Sequence, residues 1–368
     1  MVKVKNFIKN EIVLIISFVL AVASAFFVIP NKGYFEYIDF RTLGLLFCLL
    51  AVMAGLNSLG VFKFIAEKML SKVKSITGIS LILSLLCFFS SMVITNDVAL
   101  ITFVPFTVTV LKLSDKMNRL IWLVTIETIA ANLGSMLTPI GNPQNLYLFS
   151  AFNMSMDDFI TTILPYALLS FVLVVISCLF VGKDKIEIHK NDNSFNFSKL
   201  HISVYALLFV LALLTVFRVI PYEITVLITL SALMIFDRKI ISKIDYSLLF
   251  TFVFLFIFIG NLGKIKPISG FLKSIVNGNE VIVGVVSSQV FSNVPAAILL
   301  SKFTENAHNL LIGVNLGGLG TLIASMASLI SFKFIAKEKV NTGKYILTFT
   351  IMNIVFLILN LCLWAIIR

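Results

Sequence analysis

Residues 90–99 read SSMVITNDVA and residues 287–296 read SSQVFSNVPA, and the two stretches align without a gap. Ser90, Ser91, Val93, Asn96 and Ala99 stand opposite Ser287, Ser288, Val290, Asn293 and Ala296, with Thr95 opposite Ser292. Each lies inside an apolar stretch, 77–111 and 281–301, whose middle is polar. The first stretch is too long for one straight span, and the second carries Pro295 at its centre. Irregular backbone at membrane depth is tolerated only where protein encloses it or where it lines a cavity. Both stretches are therefore expected to be re-entrant hairpins that enter and leave on one face.

A second match follows the first. Residues 132–140 read NLGSMLTPI and residues 315–323 read NLGGLGTLI, so that Asn132, Leu133, Gly134, Thr138 and Ile140 face Asn315, Leu316, Gly317, Thr321 and Ile323. Two matches in one order indicate an internal repeat. Apolar runs near 11–30, 41–60, 118–150, 159–182, 201–219, 222–237, 246–262, 309–332 and 345–367 supply the remaining spans. The first repeat is read over 1–182, with its hairpin at about 77–111 and a broken helix at 118–150. A loop and linking span occupy 183–219, and the second repeat covers 220–368, with its hairpin at about 281–305 and a broken helix at 309–332. Because the linking span crosses once, the second repeat starts on the opposite face and is inverted, as in many secondary transporters.

Composition agrees. Of 368 residues, 59% are hydrophobic and 13% charged, and the mean hydropathy is +1.04. Soluble domains hold about 45–50% apolar and about 25% charged residues, so a soluble or disordered chain is excluded. The fold class is an all-α polytopic membrane protein. The net charge of +11 does not point to nucleic acid, because Lys and Arg lie in short runs between spans. With the amino terminus inside, most of the 29 Lys and Arg fall in inside loops, among them Lys3, Lys5, Lys9, Lys63, Lys72, Lys74, Lys112, Lys116, Arg119, Lys183, Lys185, Lys190, Arg238, Lys243, Lys337 and Lys339. The stretch around Lys264, Lys266 and Lys273 is the exception. This places the amino terminus in the cytoplasm and the carboxyl terminus outside a plasma membrane. The start of the chain imitates a signal peptide, but its apolar run continues to Pro30 and is read as an uncleaved first helix.

Cys48, Cys87, Cys178 and Cys362 sit in apolar stretches without C-x-x-C spacing, and His189, His201 and His308 lie in loops or at span ends. Neither a disulfide framework nor a metal site has material here, and no cofactor is expected beyond Na⁺ or H⁺ as coupling ion. A broken helix exposes amides at one new end and carbonyls at the other, which suit an anion and a cation respectively. Thr95, Asn96, Ser292 and Asn293 are the candidate ligands at the hairpin tips. Asn132, Gly134, Ser135, Thr138, Gly141 and Asn142 belong to the first break, and Gly317, Gly318 and Thr321 to the second. Na⁺ is placed at Thr95, Asn96 and Asp97. Gly313 and Gly317 also form a G-x-x-x-G that can simply pack helices. Asp97 and Glu127 are the acids read at membrane depth, and either is a coupling candidate. Asp97 alternatively caps the second hairpin arm, and Glu127 alternatively bonds across helices as a neutral acid.

These paired tips and Gly-rich breaks resemble the ion-transporter superfamily. The run ANLGSMLTPIGNPQNLYLF at 131–149 is similar to its citrate-transporter and arsenite-permease branch, which is related to divalent-anion/sodium symporters. In dicarboxylate carriers of the superfamily each tip reads Ser-Asn-Thr and holds sodium and a substrate carboxylate. Thr95-Asn96 and Ser292-Asn293 match the first two positions, whereas Asp97 and Val294 depart from the third. The resemblance implies a secondary transporter of a small anion, a carboxylate or an inorganic oxyanion such as arsenite, coupled to Na⁺ or H⁺. It also implies a homodimer as one assembly in the bilayer. A Na⁺/H⁺ antiporter using Asp97 is the alternative, with a ligand-gated channel or sensor more remote. No nucleotide-binding G-x-x-x-x-G-K-[ST] or hydrolase motif occurs, so an enzyme is not expected.

Overall fold

The computed structural model describes residues 11–70, 73, 75–182, 184, 198–338 and 340–368. Lys3, Lys5, Lys9, Lys72, Lys74, Lys183, Lys185, Lys190, His189 and Lys339 lie outside the described residues. The described chain is helical, and its first half holds α1 (Ile12–Ala25), α2 (Tyr34–Tyr37), α3 (Phe40–Ser58), α4 (Val61–Leu70), α5 (Ile76–Ile94), α6 (Asn96–Leu113), α7 (Leu120–Ser135), α8 (Pro143–Ala151) and α9 (Met156–Leu179). The second half holds α10 (Lys199–Val216), α11 (Tyr222–Phe236), α12 (Arg238–Ile241), α13 (Tyr246–Lys264), α14 (Lys266–Val276), α15 (Glu280–Phe291), α16 (Asn293–Ser301), α17 (Ala307–Leu316), α18 (Met326–Ile335) and α19 (Thr342–Ile367). Seven of these helices are long and apolar enough to cross a membrane. The chain is a multi-pass membrane protein.

Both interrupted stretches are helical hairpins. The first turns between α5 and α6 at Thr95, and the second between α15 and α16 at Ser292. Each hairpin returns to where it began. Ile76 N–H donates to the Asp184 carbonyl at 3.0 Å, and Lys116 and Arg119, just beyond α6, reach the Asp184 carboxylate at 3.5 and 3.4 Å. At the second hairpin Glu280 Oε1 accepts from Gly278 N–H at 3.1 Å and from Thr304 Oγ1 at 2.9 Å, fastening one arm to the other. Glu280 is buried, which makes it a third enclosed acid beside the two read from sequence.

The arms differ in length. α5 and α6 have 19 and 18 residues, α15 and α16 only 12 and 9. At 1.5 Å per residue the longer arms reach about 27 Å and the shorter ones about 14–18 Å. Both tips nevertheless stop at a helix break, because Asn96 N–H donates to the Gly141 carbonyl at 3.2 Å and Asn293 N–H to the Ala324 carbonyl at 3.0 Å. The expected broken helices are α7 and α8, separated by 136–142, and α17 and α18, separated by 317–325. The distal half of each packs against the hairpin of the other half of the chain, α8 on α16 and α18 on α6. Neither half can bury its own surface alone.

Some expectations shift. α1 ends at Ala25 rather than near Pro30, since Phe27 and Val28 N–H both turn back to the Ser24 carbonyl and the residue before a proline disfavours helix. The basic stretch that departed from the positive-inside pattern is the end of α13 and the amphipathic α14, where Lys264 Nζ lies 5.2 Å over the Tyr37 ring. Amphipathic helices of this kind suit a membrane interface, with their charges in water. Cys48, Cys87 and Cys178 are buried, Cys362 is exposed, and all four are free thiols.

Candidate functional site

The tips share one backbone conformation. Thr95 has φ 73° and ψ 152°, and Ser292 has φ 73° and ψ 155°. Non-glycine residues avoid this region at a cost of about 1–3 kcal/mol, and it persists where surrounding structure enforces it, commonly at functional sites. The bonds from Asn96 and Asn293 N–H into the facing breaks supply that enforcement. The turn also sets the geometry of Asp97. Helix α6 begins at Asn96, so Thr95 rather than Asp97 occupies the cap position, and no side-chain cap bond forms there. Asp97 lies in the first turn, and its N–H is taken by Asn96 Oδ1 at 2.9 Å. The capping reading of Asp97 is thereby corrected.

Behind the tips, asparagines join the two halves. Asn96 Nδ2 donates to Asn132 Oδ1 at 3.0 Å, and Ser325 Oγ donates to the same oxygen at 3.1 Å. Asn142 Nδ2 donates to Ser135 Oγ at 3.1 Å and to Asn315 Oδ1 at 3.4 Å, while Asn315 Nδ2 donates to Asn145 Oδ1 at 2.7 Å. A residue of each break thus bonds the asparagine that precedes the other break. Asn145 Nδ2 also donates to the Met136 and Thr138 carbonyls, at 3.1 and 3.2 Å, satisfying groups that the helix break would leave bare. Gln289 does the same at the second break. Its Nε2 donates to the Gly317 and Leu319 carbonyls at 2.9 and 2.8 Å, and its Oε1 accepts Thr321 N–H at 2.9 Å.

A cavity of about 170 Å³ opens beside the first tip. Its polar lining is Thr95, Asp97, Asn142 and Asn57, with Lys243 and Asp245 at the end of the preceding helical linker. Lys243 Nζ is held by Ser58 Oγ at 2.7 Å, and Asp245 Oδ1 caps α13 by accepting Leu248 N–H at 3.1 Å. Asp97 Oδ1 and Asn132 Nδ2 are buried and have no hydrogen-bond partner. The second tip faces a larger cavity of about 310 Å³ whose lining is apolar apart from Ser17 and Ser292. The sites are alike in backbone and unlike in charge.

The candidate residues separate accordingly. Thr95, Asp97 and Asn142 line the first cavity, and Asn96, Asn132 and Ser135 form the network behind it. Gly134 and Gly141 are close-approach positions, where a Cβ would strike the Phe88 and Ser135 carbonyls. The Thr138 hydroxyl donates to the Met92 carbonyl and ties the break to α5. At the second tip Asn293 lies against Gly318, whereas Gly317 and Gly313 pack against α15. Thr321 is exposed, with its amide held by Gln289. Glu127 is fully buried between α6 and α7, outside the cavity, and so forms no acidic pair with Asp97.

Asn145, Gln289, Ser325, Asn57, Lys243 and Asp245 are the residues that sequence reading missed. Extending the 132–140 and 315–323 match by two residues would have set Asn142 opposite Ser325. The others carry no comparable signal. Of the three ligands expected for Na⁺, Thr95 and the unpartnered Asp97 oxygen line the cavity, whereas Asn96 does not line it and turns its Oδ1 to Asp97 N–H. Among the described residues no group of three or more His, Cys, Asp or Glu could hold a metal ion.

Paired strained tips, two enclosed helix breaks and a polar cavity inside a multi-pass bundle define a membrane transporter. Residues 7–311 match the family described as citrate transporter, and the chain belongs to that family. An uncharacterized transporter of Methanocaldococcus jannaschii, MJ0456, is 35% identical over 337 residues, covering 90% of this chain and 91% of the relative. The inner membrane protein YbiR of Escherichia coli is 30% identical over 322 residues, 85% of each chain. A shorter match, 28% over 159 residues, joins 42% of the chain to 32% of the silicon efflux transporter LSI3 of rice, Oryza sativa. The membership bears out the resemblance read from the 131–149 run.

Proposed function

We propose that the chain is a secondary active transporter of a small anion, coupled to Na⁺ or H⁺, working by alternating access between inverted halves. The first tip and its cavity carry this reading. A solute entering there meets the Asn142 amide and the Thr95 hydroxyl beside the Asp97 carboxylate, and one lysine, Lys243, at the linker. A multiply charged carboxylate would face repulsion from Asp97 unless a cation or proton neutralised it. An inorganic oxyanion that keeps part of its protons, and so donates hydrogen bonds to Asp97, suits this lining better. Silicon, for which the rice relative is named, dissolves in water as an oxyacid of that class. The paired strained turns, each set against a helix break, support alternating access at the two tips. Exchange of Na⁺ for H⁺ at Asp97 is the second reading, favoured by its unpartnered Oδ1.

Purified protein in proteoliposomes tests both. Uptake of orthosilicate and of citrate is measured under imposed Na⁺ or pH gradients, for the wild type and Asp97→Asn. Removing the charge while keeping the shape is expected to abolish accumulation against a Na⁺ gradient and to remove the dependence of uptake on Na⁺. A wild-type ion profile in Asp97→Asn sinks both readings of Asp97. Na⁺-driven proton movement without solute selects the exchanger.

Sidedness has its own test. In a Cys362→Ser background, Lys116→Cys is expected to be shielded from an impermeant thiol reagent added to whole cells. Arg119 retains the contact to Asp184 in that variant. Labelling from outside would reverse the proposed orientation, with its cytoplasmic amino terminus.

A further inference from the structure

Glu127 has no part in the cavity, yet it is built in with care. It is 0% exposed on α7, and Oε1 lies 2.5 Å from Thr107 Oγ1 of α6. Oε2 is buried without a partner. The same Thr107 hydroxyl lies 3.1 Å from the Phe103 carbonyl one turn back. A hydroxyl carries one hydrogen and two acceptor positions, so it cannot donate to both oxygens at once. Two arrangements are open to it. Ionised Glu127 accepts the Thr107 hydrogen. Protonated Glu127 donates its own hydrogen to Thr107 Oγ1, and the hydroxyl turns to the Phe103 carbonyl. One rotating side chain keeps Oε1 hydrogen-bonded in either protonation state without moving the backbone.

The surroundings offer no fixed charge that would lock one state. Among the described residues no Lys, Arg or His nitrogen is within salt-bridge reach of Glu127. The titratable groups within its electrostatic reach are the Cys87 thiol of α5, the Cys178 thiol of α9 and the Tyr345 hydroxyl of α19. Facing helix α18 contributes Ser331, which accepts from Thr128 Oγ1 at 2.7 Å, and α6 contributes Thr107. The buried hydroxyls of Ser84 and Ser80, one and two turns before Cys87 on α5, adjoin the Cys178 thiol. Small polar groups of α5 therefore adjoin the Cys178 thiol of α9 within a largely apolar core. A simple structural acid would be paired on both oxygens, because an unpartnered buried carboxyl oxygen is costly.

We propose that Glu127 and Thr107 form a proton-binding switch between the hairpin arm α6 and the broken helix α7, and that it carries the coupling proton. The coupling role rests on the transporter reading; proton binding does not. The switch sits on the arm that begins at the first tip, so binding and release of a proton act on the helix that positions Asn96 and Asp97.

Infrared titration of the full chain in bilayers tests proton binding without any solute. A carboxylic-acid carbonyl band is expected to rise as pH falls, to persist in Asp97→Asn, and to vanish in Glu127→Gln. Transfer to D₂O is expected to shift it within minutes. A band unchanged in Glu127→Gln, independent of pH, or fixed in D₂O would overturn the switch. Thr107→Val is expected to abolish the pH response of the band and Thr107→Ser to restore it, which loss of packing would not do. In proteoliposomes, pH-driven uptake of orthosilicate or citrate is expected to fall at least about tenfold in Glu127→Gln, equivalent to about 1.4 kcal/mol. A wild type that moves neither probe removes the coupling role and the small-anion reading it rests on, while the infrared titration still decides whether Glu127 binds a proton.

Discussion

Asn96→Ala is expected to lower solute uptake about 10- to 100-fold, because losing one buried hydrogen bond costs about 1–3 kcal/mol, and Asn293→Ala to lower uptake by removing the amide of the second tip. Asn96 is the sharper case. Its side chain donates to Asn132 Oδ1 and accepts Asp97 N–H, so it orients the acid of the cavity and ties the hairpin to the first break. Alanine leaves the Asp97 amide and the Asn132 amide group without that partner. The backbone bond from residue 96 to the Gly141 carbonyl survives in the mutant. The variant should therefore remain monodisperse by size exclusion, with its melting temperature lowered by only a few degrees, while transport is lost. Asn293 makes fewer side-chain bonds, a weak one from Ser292 Oγ at 3.5 Å and contact with Gly318. Its replacement should spare stability more. Wild-type uptake in both variants would make the tips merely structural and remove the proposed site.

Gly134→Ala is expected to have the largest effect on folding. A Cβ built at Gly134 falls on the carbonyl of Phe88, a backbone group inside α5 that cannot swing aside. Helix α7 would have to move away from α5, breaking the most extensive helix contact in the first half and carrying Asn132 with it. Overpacking a rigid core costs about 1–3 kcal/mol or more, so a melting temperature lowered by several degrees, or loss of the monodisperse species, is expected by fluorescence-detected size exclusion. Gly263→Ala provides the contrast. Nothing lies within 4 Å of its Cβ position, and it sits inside α13. Alanine there should leave stability unchanged or raise it by about 0.5–1 kcal/mol. Equal behaviour of the two variants would show that the close approach of α7 to α5 is not needed.

Much of this architecture was legible before any coordinates. A hairpin in a membrane needs a long apolar stretch with a polar centre, and 77–111 and 281–301 announce themselves on that ground alone. The turn residues were equally visible, since Thr95-Asn96 and Ser292-Asn293 repeat at matched positions and each pair occupies its tip. The breaks could be placed because Thr138-Pro139-Ile140-Gly141-Asn142-Pro143 cannot continue a helix. Asn142 indeed starts α8, accepting Asn145 N–H at 3.1 Å ahead of Pro143. All of these are local consequences of residue type: apolar length, missing amides and capping chemistry act within a few positions of the chain.

Partnership is different in kind. Asp97 and Glu127 are both acids within apolar runs, and sequence treats them alike. Rotation about two helix axes sends one to the cavity and the other to Thr107, behind it. Gln289 reads as an ordinary polar residue on α15 until the second break arrives beside it with bare carbonyls. Asn145 and Asn315 are 170 positions apart and meet only because α8 leaves its own half to pack on α16. Apolar length and helix-breaking residues act locally, so the sequence by itself determined the membrane class, the hairpins, the tips and the breaks. Which oxygen stays unpartnered, which acid lines a cavity and which asparagines bridge the halves depend on distances between segments remote in sequence, and only the packed tertiary structure decides those.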